Sequence, residues 1–201
     1  MAQAQAAKLE PGDHGYTSTG VSNFKLGFWT FIASECLFFG TLISTYMVFR
    51  GQAVTGPYPH EIFDVLKTTV STTILLFSSL AMVLALDQVL KANKKWAIFW
   101  LVMVILMGGA FLGMEYTSYM KYIDYGLTLT SSTFGSSYYV LTGTHKVHVF
   151  FGMLWMGTLI WLIAKDRSPP SKAEQVEVAG LYWHFVDIIW IVIFTLVYLI
   201  Q

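Results

Sequence analysis

The chain has 201 residues; 55% are hydrophobic, only 12% are charged, and 12 Lys and Arg residues balance 12 Asp and Glu residues. Soluble domains carry about 25% charged residues, so this composition excludes most soluble folds and disordered chains. The zero net charge excludes a basic nucleic-acid-binding protein, and the single cysteine, Cys36, excludes a disulfide framework and a cysteine-ligated metal cluster within this chain. The composition therefore predicts a polytopic membrane protein.

Five apolar segments are long enough to cross a bilayer, which takes about 20 residues of helix. In chain order they are residues 26–49, 68–90, 97–119, 134–164 and 178–200. Polar loops that contain Gly, Pro or Lys separate them. We therefore predict an all-α fold, a five-helix transmembrane bundle over residues 26–201, preceded by a polar cytoplasmic segment over residues 1–25.

Basic residues are distributed unevenly between the predicted loops. Eight Lys and Arg residues lie in the N-terminal segment and in the second and fourth loops, whereas three lie in the first and third loops. Because loops rich in Lys and Arg stay in the cytoplasm, this distribution predicts a cytoplasmic N-terminus. An odd number of spans then places the C-terminus outside.

Ionisable residues lie inside the apolar spans. Apart from Asp87, near the end of the second span, they are Glu35, Glu115, His145, Lys146, His148, His184 and Asp187. A charge at the bilayer centre costs about 2.5–3.5 kcal/mol on insertion scales, so we expect these side chains to face the protein interior and to pair. At a rise of about 1.5 Å per residue, Glu35, His148 and Asp187 lie within about 4 Å of the midpoints of their spans.

These three midplane residues indicate a shared proton, because a carboxylate beside an imidazole can hold one proton and stay neutral as a pair. We expect Glu35 to pair with His148, with His184 as the alternative partner. Two interpretations of such a pair stand side by side. One is a site that conducts or stores protons, and the other is a polar clamp that fixes how the helices pack.

The histidine spacing also raises the question of a cofactor. His145 and His148 are three residues apart, as are His184 and Asp187, so each pair shares a helix face. A haem held between two helices needs one histidine from each at similar depth. His148 and His184 differ by about 9 Å along the membrane normal, which argues against a haem. No carboxylate-rich cluster accompanies the histidines to favour a metal site.

Lys146 stands close to the predicted midplane, where a cation needs a partner or a route to water. Three arrangements would satisfy it: snorkelling to the interface, filling a gap between helices, or meeting an acidic group of a neighbouring subunit. Gly109 and Gly113 form a GxxxG pair, the spacing that lets two membrane helices approach closely.

Several sequence runs together resemble one known family. They are Gly27–Phe28–Trp29, Ser34–Glu35 and Phe38–Phe39 in the first span, FLGMEY at Phe111–Tyr116, TGTHKVHV at Thr142–Val149, and GLYWHFVDIIW at Gly180–Trp190. Over residues 26–201 the chain resembles subunit III of the haem–copper terminal oxidases, in the short five-helix bacterial form. Lys146 departs from that family, which usually has glycine at this position.

The resemblance implies a non-redox accessory subunit of a respiratory oxidase that reduces O2 to water and pumps protons. Glu35 would be the family's buried carboxylate. The family's recurring polar positions would be Glu115, His145, His148, His184 and Asp187. No catalytic residue and no metal ligand is expected in this chain, because in this family the haems and copper belong to partner subunits.

Expected partners and location follow from the same resemblance. The chain would pack on subunit I, join subunit II and other small subunits, bind phospholipid between its helices, and support proton uptake and the durability of the working enzyme. Its location would be the bacterial plasma membrane. The sequence leaves open whether cytochrome c or a quinol donates electrons, which haems and lipids are bound, and whether the complex joins a respiratory supercomplex.

Two alternative functions would use the same residues. A membrane haem carrier would ligate a b-type haem with His148 and His184, and a proton-coupled transporter would use Glu35 and Asp187. Transporters of that kind favour internal repeats and broken helices, and the sequence shows no repeat. The H-x-x-H and YWHFVD runs therefore favour the oxidase subunit.

Overall fold

The computed structural model describes residues 22–51, 63–165 and 172–200. In chain order its helices are α1 Asn23–Phe49, α2 Val65–Leu90, α3 Lys94–Asp124, α4 Thr133–Ala164 and α5 Lys172–Ile193, and α5 continues as a π-helix over Phe194–Leu199. The five spans are long and apolar enough to cross a membrane, which confirms the predicted all-α five-helix architecture. Most of the polar segment predicted for residues 1–25 lies outside the described residues.

Each helix begins before the apolar segment that predicted it. The Asp64 side chain accepts a hydrogen bond from the backbone N–H of Lys67 at 3.0 Å and caps α2. Ser132 caps α4 in the same way, 3.0 Å from the N–H of Gly135. The first turns of α5 read KAEQVE, a run in which four of the six residues are polar and most are good helix formers.

The chain divides into two compact units, residues 1–37 and residues 38–201. The described part of the first unit is mainly the first half of α1, in which the hydroxyls of Thr30 and Ser34 bond to carbonyls about one turn earlier. In the second unit α2 packs most extensively against α3 and also against α5, and α4 packs against α3 and α5.

Helix α5 is the most buried of the spans, with 50% of its apolar stretch inside the structure against 6% for α1. Its Trp183 ring lies in a slot between Gly108 of α3 and Gly152 of α4. A Cβ on Gly152 would lie 2.8 Å from Trp183 Cζ3, and a Cβ on Gly108 would lie 3.0 Å from Trp183 Cη2. The Trp183 Nε1 donates to Ser78 Oγ of α2 at 2.9 Å, so one side chain fixes α5 against three helices.

Gly109 and Gly113, the glycines with GxxxG spacing, do not mark a close helix approach among the described residues. A Cβ built on either glycine would lie within 4 Å of no described atom, apart from its chain neighbours and the adjacent backbone of its own helix. The approach occurs instead at Gly108, which faces about 100° away from Gly109 around the helix axis. The GxxxG spacing therefore identified the helix but not its contacting face.

A second indole and a tyrosine pair hold the C-terminal half of α5. The Trp190 Nε1 donates to Thr72 Oγ1 of α2 at 2.9 Å. Farther along, Tyr198 in the π-helical end lies 2.8 Å from the hydroxyl of Tyr138 of α4. These buried bonds set the register of α5 against α2 and α4.

Candidate functional site

Glu115 of α3 and Lys146 of α4 form an ion pair in the interior, with 3.2 Å between Oε2 and Nζ. The side chains are only 2% and 13% exposed. The other carboxylate oxygen, Oε1, accepts a hydrogen bond from Ser71 Oγ of α2 at 3.3 Å. Lys146 therefore meets an acidic group, as one of the predicted arrangements required, but that group belongs to its own chain and not to a neighbouring subunit.

The Lys146 ammonium also lies 3.1 Å from the centre of the Tyr119 ring, in a cation–π contact. The Tyr119 hydroxyl in turn lies 2.5 Å from Thr142 Oγ1 of α4. The cation is thus compensated from two directions, by a carboxylate and by an aromatic face. This double compensation explains how the chain holds a buried lysine inside a membrane span.

His145 is completely buried and packs as an aromatic ring. It stacks on Trp190 with 4.9 Å between ring centres, and its ring contacts the edge of Phe111 at 6.1 Å. Among the described residues neither ring nitrogen has a hydrogen-bond partner. His145, which the resemblance placed among the family's recurring polar positions, is therefore packed among aromatic rings of α3 and α5.

His148 is half-buried one turn farther along α4. Its Nδ1 lies 2.9 Å from the carbonyl oxygen of Thr144, and because a carbonyl can only accept, Nδ1 carries the hydrogen in this bond. The ring also contacts Phe39, with 5.0 Å between ring centres, and Phe39 lies 6.5 Å from His145. The two histidines of the H-x-x-H run thus share one aromatic neighbour.

The third group lies between α2 and α5 and centres on Ser79, which sequence reasoning missed. Its hydroxyl donates a short hydrogen bond to Asp187 Oδ2 and lies 3.0 Å from His184 Nδ1. Asp187 is 3% exposed. His184 and Asp187 do share a face of α5, and Ser79 joins them.

Glu35 lies in the first compact unit, on a partly exposed position of α1. Its pairing with His148, or with His184, stays a prediction. The structure thus brings the predicted residues of the second unit into three groups: Glu115 with Lys146, His145 with His148 around Phe39, and His184 with Asp187 around Ser79.

The partners that sequence reasoning missed are mostly hydroxyl residues of α2. They are Ser71, Thr72, Ser78 and Ser79, and each contacts a polar or indole group of α3 or α5. The available signal was their density within one apolar span, because small hydroxyl residues in membrane helices serve as interhelical hydrogen-bond partners. A serine or threonine by itself does not reveal which helix it faces.

Among the residues that the structure describes, no group of three or more His, Cys, Asp and Glu side chains is arranged to hold a metal ion. The ionisable side chains make hydrogen bonds, ion pairs and ring contacts with their neighbours. This arrangement suits internal pairing between helices.

The comparisons with known proteins agree on one family. Residues 6–201 match the family model described as cytochrome c oxidase subunit III. Cytochrome c oxidase subunit 3 of Bacillus subtilis (strain 168) is 40% identical over 184 residues, covering 91% of this chain and 88% of the relative. Quinol oxidase subunit 3 of the same organism is 33% identical over 199 residues, covering 95% and 97%.

A relative from another organism gives the same result. Cytochrome bo(3) ubiquinol oxidase subunit 3 of Pseudomonas aeruginosa is 37% identical over 187 residues, covering 93% of this chain and 88% of the relative. The family match spans nearly the whole chain and includes the H-x-x-H and YWHFVD runs that first indicated the resemblance. The chain therefore belongs to the cytochrome c oxidase subunit III family and is a multi-pass membrane protein.

Proposed function

We propose that this chain is the non-redox accessory subunit III of a haem–copper oxidase that reduces O2 to water and pumps protons. In this proposal it packs on subunit I, beside subunit II and smaller subunits, in a bacterial plasma membrane with its N-terminus in the cytoplasm. It binds phospholipid, supports proton uptake and prolongs the working life of the enzyme. The haems and copper belong to the partner subunits.

The observation that carries the proposal is the mixture of electron donors among the relatives. Similar identities, 40% and 33%, relate the chain to a cytochrome c oxidase subunit and to a quinol oxidase subunit of one organism. One donor is a protein and the other a lipid-soluble molecule, so a donor-binding subunit would be expected to differ between them. A subunit common to both enzyme types is best placed away from electron entry.

The internal pairing of ionisable groups agrees with an accessory role. Glu115 and Lys146 neutralise each other, and Ser79 joins His184 to Asp187. Such groups can retain or exchange protons without a redox centre. This supports a contribution to proton uptake by the complex.

A groove on the surface of α3 and α4 supports the proposed binding of phospholipid. It has a volume of about 550 Å³. Its lining is mostly apolar and includes one cation; the residues are Leu112, Gly113, Tyr116, Tyr119, Gly143, Lys146, Val147 and Phe150. A groove that is mostly apolar and lies within the membrane-spanning helices suits an acyl chain, whose binding depends on buried apolar surface and not on hydrogen bonds.

Exposed apolar side chains of α1 support packing against other membrane components. Trp29 is 54% exposed and Leu37 is 75% exposed. Large apolar side chains on a membrane helix contact either lipid or another subunit. An expected contact with subunit I would cover part of this surface.

The experiment compares the purified oxidase with and without this chain. We expect the depleted complex to keep its haem spectrum and its initial rate of O2 reduction. It should take up protons more slowly and lose activity after fewer turnovers. Proton uptake is measured in proteoliposomes, and lifetime as the number of turnovers before half of the activity is lost.

Reconstitution provides the control, because adding the chain back with phospholipid should restore both properties. Loss of haem bands on depletion would contradict the non-redox assignment. An unchanged lifetime together with unchanged proton uptake would contradict the accessory role.

A further inference from the structure

Ser79 occupies an unusual place, since its hydroxyl contacts two titratable groups that both lie on α5. The structure gives a short hydrogen bond from Oγ to Asp187 Oδ2 and a distance of 3.0 Å from Oγ to His184 Nδ1. We propose that these three residues form a proton-storage site, in which one proton moves between His184 and Asp187 through the Ser79 hydroxyl. This site goes beyond the accessory role proposed above and does not depend on it.

The direction of the hydrogen bonds defines the transfer. Since Oγ–H donates to Asp187 Oδ2, Oγ can accept from Nδ1–H of a protonated His184. When the Nδ1–H bond breaks, that proton joins Oγ, and the original Oγ proton joins Oδ2. The imidazolium and carboxylate become a neutral imidazole and a carboxylic acid, Ser79 ends as it began, and no charge leaves the site. The reverse transfer restores the first state.

The order of the groups argues against two other chemical roles. In a hydrolytic triad the histidine lies between the serine and the carboxylate and removes the proton of the serine. Here the serine lies in the middle, so its hydroxyl relays a proton and is not activated as a nucleophile. A purely structural role is also unnecessary, because the Ser78–Trp183 and Thr72–Trp190 hydrogen bonds already join α2 to α5. The indoles in those two bonds do not titrate.

Among the described residues, His184 is the titratable base that the Ser79 hydroxyl joins to Asp187. Helix α2 has no ionisable residue between Lys67 and Asp87. Helix α4, which also packs against α5, carries His145, Lys146 and His148. Of these, His145 stacks on Trp190 and Lys146 pairs with Glu115, which has its own hydroxyl donor, Ser71.

A cavity between α2 and α5 connects this site toward the Glu177 end of α5. It has a volume of about 110 Å³ and is lined by Met82, Val83, Leu86, Glu177, Gly180, Leu181 and His184. One water needs about 10–15 Å³ of such volume, so the cavity has room for a few waters, with Glu177 and His184 as the polar groups of an otherwise apolar lining. Seven residues separate these two side chains, which places them on one face about 10 Å apart along the helix.

The far side of the site offers no onward hydrogen-bond partner among the described residues. Asp187 Oδ1 is buried and has no hydrogen-bond partner within the described part of the chain. A proton that arrives through His184 therefore stops at Asp187. One open side and one side without an onward partner make the site a store that fills and empties from the Glu177 end, which the distribution of Lys and Arg predicts to be cytoplasmic.

The test uses infrared spectroscopy of the intact, lipid-reconstituted oxidase complex, with D2O exchange as the probe. We expect a carboxylic acid C=O band that shifts in D2O and disappears in Asp187→Asn. Should Asp187→Asn lower the yield, Asp187→Glu retains an acid and should move the band. In Ser79→Ala the band should persist but exchange about 10²-fold more slowly, the lower end of what a positioned proton-transfer group contributes.

Two variants separate proton relay from packing. Ser79→Thr keeps the hydroxyl and should restore fast exchange. Ser78→Ala removes the neighbouring hydrogen bond to Trp183 and should leave the exchange rate unchanged. Exchange in Ser79→Ala as fast as in the parent, or a band unaffected by both Asp187 substitutions, overturns the proposal. The accessory role is judged separately by depletion of the chain, so either idea can fail alone.

Discussion

Lys146 and Glu115 neutralise each other inside the membrane-spanning part of the chain, with 3.2 Å between Nζ and Oε2. An ion pair that is removed from water depends on both partners, because a single remaining charge has no compensation.

Lys146→Met should therefore destabilise the chain by about 3–5 kcal/mol, because it leaves Glu115 buried without its cation. The double variant Lys146→Met/Glu115→Gln should recover most of that loss, since no buried charge remains. The measurement is the thermal midpoint for loss of this subunit from the purified complex. Lys165→Met serves as control, because Lys165 is exposed over the Trp161 ring. Strict additivity of the two single changes would refute the coupling.

Gly152→Ala should disrupt the contact between α4 and α5, because the new methyl group would lie 2.8–2.9 Å from Trp183 ring carbons. Overpacking of this kind costs about 1–3 kcal/mol. The matched control is Gly157→Ala on the same helix, where a Cβ meets none of the described atoms considered within 4 Å. Retention of the subunit on heating should fall for the first variant only. Equal behaviour of both variants would show that Trp183 can shift without cost.

His145→Leu should leave proton uptake unchanged, because neither imidazole nitrogen is hydrogen-bonded within the described residues. The expected loss of stability is about 0.5–1.5 kcal/mol, the contribution of an aromatic pair. Proton uptake by the complex and the thermal midpoint are measured together. A fall in uptake at normal stability would show that His145 has a polar partner in another subunit or in bound water.

Glu35→Ala should shorten the working life of the oxidase or weaken pumping while leaving assembly largely intact. If Glu35 pairs with His148, then His148→Phe should have the same effect and the double variant should add little. Turnovers before inactivation and protons pumped per electron are the measurements. Full additivity of the two changes would show that the residues do not touch, and unchanged values for Glu35→Ala would leave only a structural role.

Most of the fold follows from the sequence because apolar length is a strong signal for a membrane helix. The helix boundaries are less predictable from the sequence than the helices themselves. Asp64 and Ser132 extend α2 and α4 through capping hydrogen bonds that hydropathy does not register. The contact partners of each site residue are the least predictable from the sequence. Helical spacing places His184 and Asp187 on one face, but Ser79 emerges only when α2 and α5 pack together.

The contacts of Lys146 and of the glycines are also hard to predict, because they depend on how the helices pack against one another. Sequence shows that a midspan lysine needs an anion, but the partner depends on how α3 and α4 are rotated, which no local pattern specifies. Gly109 and Gly113 have the motif spacing, whereas the bulky Trp183 ring needs its space at Gly108 and Gly152. Interhelical geometry, set by the largest buried side chains, decides both outcomes.

The most direct test of the account is a reduced-minus-oxidised visible spectrum of the complex purified through a tag on this chain. The account predicts haem a or haem o bands together with co-purifying larger subunits, and no haem on the chain when it is separated from them. A b-type haem retained by the isolated chain would contradict the account and identify a haem carrier instead.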